Sequence, residues 1–157
     1  MGTPTVTDAG TLLAAAATNL AGVQGAIASS GPLVEEIAEH CSTWRAASEA
    51  FLGWGDNPRV FEGRCADESD GLVESLIRAF PWITFRLAEF SYAMADGAVA
   101  WHVAVTFEAG PDLWIADPTA DQFGKGLPRL VFARRAALTQ YRPVPAHRRT
   151  PETYATV

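Results

Sequence analysis

Three polar residues of this chain stand in settings that suit successive roles in cysteine-based acyl transfer. Cys41 precedes the helical-looking run Ser42 to Leu52, His102 opens the strand-like run Trp101 to Phe107, and Asp117 closes Leu113 to Thr119. A thiol attacks as its thiolate, which the positive end of a helix and a neighbouring imidazolium both favour. A third group must then hold the imidazole in place. The order along the chain is nucleophile, base, orienter. Cys65 is the rival nucleophile, but Asp67, Glu68 and Asp70 follow it closely, and nearby carboxylates disfavour a thiolate. Cys41 has Arg45 one turn on, and the sequence reading assigns the role to Cys41.

These side chains need a scaffold, and the order of elements supplies one. Residues 8–29 have apolar positions at helical spacing, a short helix is expected over 33–39, a second from Cys41 to Leu52, and a third from Leu72 to Ala79 after a polar loop at 65–70. Beyond Pro81 the character changes. Residues 83–93, 99–107, 113–117 and 129–133 are rich in β-branched and aromatic residues and are separated by turn formers. Helices first and strands afterwards is the α+β pattern, with N-terminal helices packed on a mostly antiparallel β-sheet. The strands carrying His102 and Asp117 should form a hairpin. The two residues face each other when Phe107 faces Asp112, which leaves Glu108 to Pro111 as a four-residue loop. A slip of one residue would send them to opposite faces.

The order and local dress of these motifs resemble the transglutaminase-like and papain-like cysteine enzymes. The resemblance rests on Cys41 with Ala46, Ala47 and Ala50 after it, on the apolar run Arg59 to Gly63, on Trp101-His102-Val103-Ala104-Val105, and on Asp117-Pro118-Thr119 with Ala120 to Phe123 following. It covers roughly residues 38–133. It implies a transglutaminase-like (papain-like) core and a catalytic triad of Cys41, His102 and Asp117. The implied activity is acyl transfer on a peptide or protein amide through a thioester, as protease, deamidase or transamidase. Alternatives are a non-catalytic binding or adaptor domain on the same fold, a bacterial toxin or effector, or a tailoring enzyme for natural products. Trp101 and Trp114 flank the proposed base and orienter and are expected to line a shallow substrate cleft together with the turn at Gly53 to Pro58. Gln122 and Trp44 are the candidates for a second oxyanion donor beside the nucleophile's backbone N–H.

Bulk composition bounds the alternatives. A chain of 157 residues, 48% hydrophobic and 19% charged, is one domain with a real core. Its net charge of -6 argues against nucleic acid or an anionic membrane as partner. Two cysteines make no disulfide framework, so a reducing, cytoplasmic setting is expected. The apolar stretch 12–28 contains Thr18, Asn19 and Gln24 and has no basic residue before it, unlike a signal peptide or membrane span. The chain has no close Cys or His pairs at zinc spacing and no phosphate-binding glycine loop, so neither a metal nor a cofactor is expected. Seven of the twelve basic residues fall between Gln122 and Pro151, where no acidic residue occurs. From about residue 134 this segment reads as a loose basic tail.

Overall fold

The structure, a computed structural model, describes residues 30–53, 61–94, 96–124 and 127–144. The helix expected over 8–29, most of the turn at 53–58 and the end of the chain from 145 lie outside the described residues. The fold is α+β: two helices, α1 (Pro32–Leu52) and α2 (Cys65–Ala79), pack on a five-stranded sheet of β1 (Phe85–Ala93), β2 (Val99–Ala109), β3 (Asp112–Asp117), β4 (Val131–Arg134) and β5 (Tyr141–Pro143). Every strand pair is antiparallel, in the order β4-β3-β2-β1-β5.

Helix α1 runs unbroken through the two segments that the sequence suggests as separate. Pro32 in its first turn has no N–H to lose, and Gly53, at φ 66°, ends it in the left-handed conformation. Nothing between Glu39 and Cys41 breaks a helix, so Cys41 sits inside α1 and not at its head. Helix α2 begins at Cys65, where the sequence reading has a polar loop. Asp67 and Glu68 lie in its first turn, where acidic side chains complement the helix dipole, and Cys65, Glu68, Ser69, Leu72 and Leu76 form its buried stripe. Of the apolar run before it, the described residues Phe61 to Gly63 form a turn feeding the helix and no strand. Gly71 lets the helices approach, because a Cβ there would meet the Trp44 ring at 3.1 Å.

The hairpin of β2 and β3 keeps the expected faces but not the expected register. Phe107 pairs with Trp114 and Ala109 with Asp112, so only Gly110 and Pro111 remain in the turn, with Gly110 at φ 61°. The shift amounts to two residues, which preserves side-chain alternation. His102 and Asp117 therefore meet diagonally.

Two cores result. Val105, Phe107, Trp114, Ala116 and Phe132 pack with Val34, Ile37, Cys41, Leu72 and Leu76 of the helices, while Phe90, Tyr92, Ala104, Ile115 and Tyr141 pack together as a separate cluster. The second core requires a curled sheet. In a flat sheet β5 would lie about 14 Å from β3, three spacings of about 4.8 Å. Yet the Tyr141 hydroxyl is 2.5 Å from the Asp117 carboxylate. Residues 134–143, expected as the start of a loose tail, contain a 3-10 turn at Arg135–Ala137 and the strand β5 that closes this curl.

Candidate active site

Cys65, His102, Asp117 and Tyr141 come from four different elements and converge on one site. His102 is fully buried on β2, and its Nε2 lies 2.6 Å from Asp117 Oδ2. The other carboxylate oxygen, Oδ1, accepts the Thr119 backbone N–H at 2.9 Å and the Thr119 hydroxyl at 3.2 Å. The Asp-Pro-Thr turn thus anchors the carboxylate as it reverses the chain. Tyr141 adds a fourth donor, through its bond to Oδ2. Burial alone would favour protonated Asp117, but the His102 charge and these hydrogen bonds hold its pKa below the ordinary value. Burial likewise opposes charge on His102. The Asp117 charge and hydrogen bond, aided by a hydrogen bond and charge interaction with Cys65, outweigh it and raise the imidazole to about 9.

Cys65 is the cysteine at this site. It is the first residue of α2, where backbone N–H groups have no intrahelical partner, and its thiol is near enough to His102 to help raise the imidazole pKa. Nε2 is committed to Asp117, which leaves Nδ1 for the sulfur. The carboxylates that argue against Cys65 in the sequence are partly engaged elsewhere: Glu68 accepts hydrogen bonds from Ser48 at 2.6 Å and from Arg64 at 3.1 Å. The Ser69 hydroxyl donates to the Val103 carbonyl at 3.1 Å, pinning the first turns of α2 beside His102.

Cys41 requires a correction. It sits at 0% exposure in the apolar cluster between α1 and the sheet, and burial pushes its thiol up to about 12. It has neither a helix terminus nor an imidazole. Trp114 also leaves the cleft, for it is wholly buried in the same core. Trp44, half-buried, packs against that core and Gly71, away from the role of oxyanion donor. Trp101 is 54% exposed, but alternation along β2 turns it to the face opposite His102. Gln122 reaches the site: its Nε2 donates to Thr119 Oγ1 at 3.0 Å and lies 3.5 Å from His102 Nδ1, while its Oε1 accepts the Gly63 backbone N–H at 3.3 Å. Tyr92 and Phe123 stack at 4.1 Å, and each meets the imidazole in a T-shaped contact.

A buried cation holds the Asp117 turn in place. Arg45, at 3% exposure, donates to Glu49 at 2.9 Å, to both oxygens of Asp121 at 3.1 and 2.8 Å, to the Arg129 carbonyl at 2.6 Å and to the Pro118 carbonyl. Its guanidinium also lies 3.7 Å from the centre of the Phe61 ring, in the turn before Cys65. The sequence places Arg45 beside Cys41 as an aid to the thiolate; the fold uses it to brace the segment from Asp117 to Gln122.

Among the described residues no group of three or more His, Cys, Asp or Glu is placed to hold a metal ion, and no helix is long and apolar enough to cross a membrane. A cavity of about 230 Å³ lies at the far end of β2, between Trp82, Arg86, Thr106 and Leu113. Comparison with protein-family models, curated proteins and solved structures finds no match.

The raised imidazole makes stability depend on pH. His102 binds its proton more tightly when folded, so its contribution is fully present below the unfolded value of 6.5 and is lost as pH rises through about 9. Thermal melts should show a falling midpoint between those limits, and His102→Gln should flatten the slope. A midpoint that climbs over that window would contradict a protonated His102.

Proposed function

We propose that the protein is a cysteine-dependent acyl-transfer enzyme acting on an amide, with Cys65 as nucleophile, His102 as acid and base, and Asp117 as orienter. One arrangement carries this reading: a cysteine at a helix N-terminus lies beside an imidazole, and a buried carboxylate holds one nitrogen of that imidazole. Imidazolium and helix terminus both favour negative charge on sulfur.

The thiolate attacks the amide carbonyl carbon, forming a C–S bond as the carbonyl π pair moves to oxygen. The oxyanion lies within range of the Cys65 backbone N–H and, after a small swing, of Gln122 Nε2. Collapse of the tetrahedral species breaks the C–N bond, and His102 gives its Nδ1 proton to the departing amine. A thioester remains. His102, now neutral, takes a proton from water or from an acceptor amine as that group attacks, and the thiolate leaves with its electron pair. Asp117 stays ionised throughout and stabilises each imidazolium.

The test is the pH dependence of Cys65 alkylation by iodoacetamide, followed by intact mass. Wild type should label rapidly from near-neutral pH, and His102→Ala should label only as pH approaches the range of an ordinary thiol. Identical profiles would refute the ion pair and with it the proposed activity.

A further inference from the structure

Asp117 Oδ2 is shared. It accepts the imidazole Nε2–H at 2.6 Å and the Tyr141 hydroxyl at 2.5 Å, and all three groups are buried in the described structure. A phenol donating into a carboxylate oxygen withdraws charge from it, and that charge is what stabilises an imidazolium on the same oxygen. We infer that Tyr141 is a positioning residue of this site, which fixes the Asp117 carboxylate and limits how strongly it holds the proton on His102. The inference rests on the proposed function for its catalytic meaning, but the hydrogen-bond chain exists without it.

The surroundings leave few other groups to set this balance. The titratable side chains facing the pair are Tyr92 from β1, Cys65 from α2 and Tyr141 from β5, and Thr119 fills the second carboxylate oxygen. Tyr92 interacts with Asp117 only through charge and makes a T-shaped contact with Tyr141 at 5.2 Å. Arg135 lies 5.9 Å from the Phe90 ring and does not reach the carboxylate oxygens, whose partners are His102, Thr119 and Tyr141. Tyr141 also spans the curl of the sheet. It reaches Asp117 on β3 from the opposite edge, packs against Phe90 and Tyr92, and so ties the carboxylate's position to the closure of β5.

Tyr141→Phe keeps the ring and removes the donor. The His102 ring protons, titrated by NMR in the full chain, should report an imidazole pKa higher than wild type by roughly half to one unit, because Oδ2 then turns its full charge on Nε2. The upper inflection of the Cys65 alkylation profile, where the ion pair gives way to a lone thiolate, should move upward by the same amount. Tyr92→Phe, which removes a hydroxyl that makes no bond to the carboxylate, should move neither. An unchanged His102 titration in Tyr141→Phe would overturn the inference and reduce Tyr141 to packing. If the titration moves while Cys65 alkylation is indifferent to His102→Ala, the positioning role stands and the proposed acyl-transfer function fails. Should Tyr141→Phe not fold, the wild-type protein decides: a slowly exchanging, far-downfield Tyr141 hydroxyl proton supports the bond, and a rapidly exchanging one overturns it.

Discussion

Cys65→Ala is expected to abolish labelling by an electrophilic peptide probe, with a loss of at least about a thousandfold, since a missing nucleophile removes the covalent step itself. Cys41→Ala should label at the wild-type rate. Its effect belongs to stability, because the thiol fills apolar space between Ile37, Leu72 and the sheet at 0% exposure. Cys41→Ser should unfold more easily still, by about 1–3 kcal/mol, as its hydroxyl would enter that space without a partner. Intact mass after labelling, paired with urea melts, separates the two cysteines. Label on Cys41, or retained labelling of Cys65→Ala, would overturn the assignment of the nucleophile.

The second large effect is structural. Arg45→Met strands the carboxylate of Asp121, which is 5% exposed, and frees the Pro118 and Arg129 carbonyls. Breaking one side of a buried ion pair costs about 3–5 kcal/mol. Replacing both partners costs far less, so Arg45→Met/Asp121→Leu should recover most of the stability in urea melts. It should not recover the labelling rate, because the turn from Asp117 to Gln122 has lost its brace. Stability losses that simply add, or a double variant with wild-type labelling, would show that Arg45 does not position the site.

Half of the site was legible because its signals are local. His102 and Asp117 lie on adjacent strands whose alternation survives a two-residue shift, so the sequence reading reached their contact through the wrong register. Gly110-Pro111 accommodates either loop length, and side-chain chemistry does not choose between them. That Cys65 and not Cys41 lies beside His102 was missed for a different reason. Asp67, Glu68 and Asp70 read as charges hostile to a thiolate, whereas Asp67 and Glu68 mark a helix N-terminus, and the stripe Cys65, Ser69, Leu72 and Leu76 already carries helical spacing. Beside the local i,i+4 pair of Glu68 with Arg64, only the tertiary contact with Ser48 shows that much of that charge is spent. Tyr141 and the role of Arg45 were out of reach altogether, since their partners lie 24 and 76 residues away.

Closure of the sheet by β5 also has a kinetic side. The β1–β2 and β2–β3 hairpins join neighbours in the chain and need only short loops, whereas β5 must return to β1 across the whole meander, pairing Phe90 with Pro143. Local hairpins form early and the long-range strand docks late, because chain entropy must be surrendered before the distant contact repays it. The Tyr141 hydroxyl therefore arrives last at Asp117. Until it does, the carboxylate is solvated and the imidazole beside it is loosely held, so reactivity should appear only in the final phase of refolding.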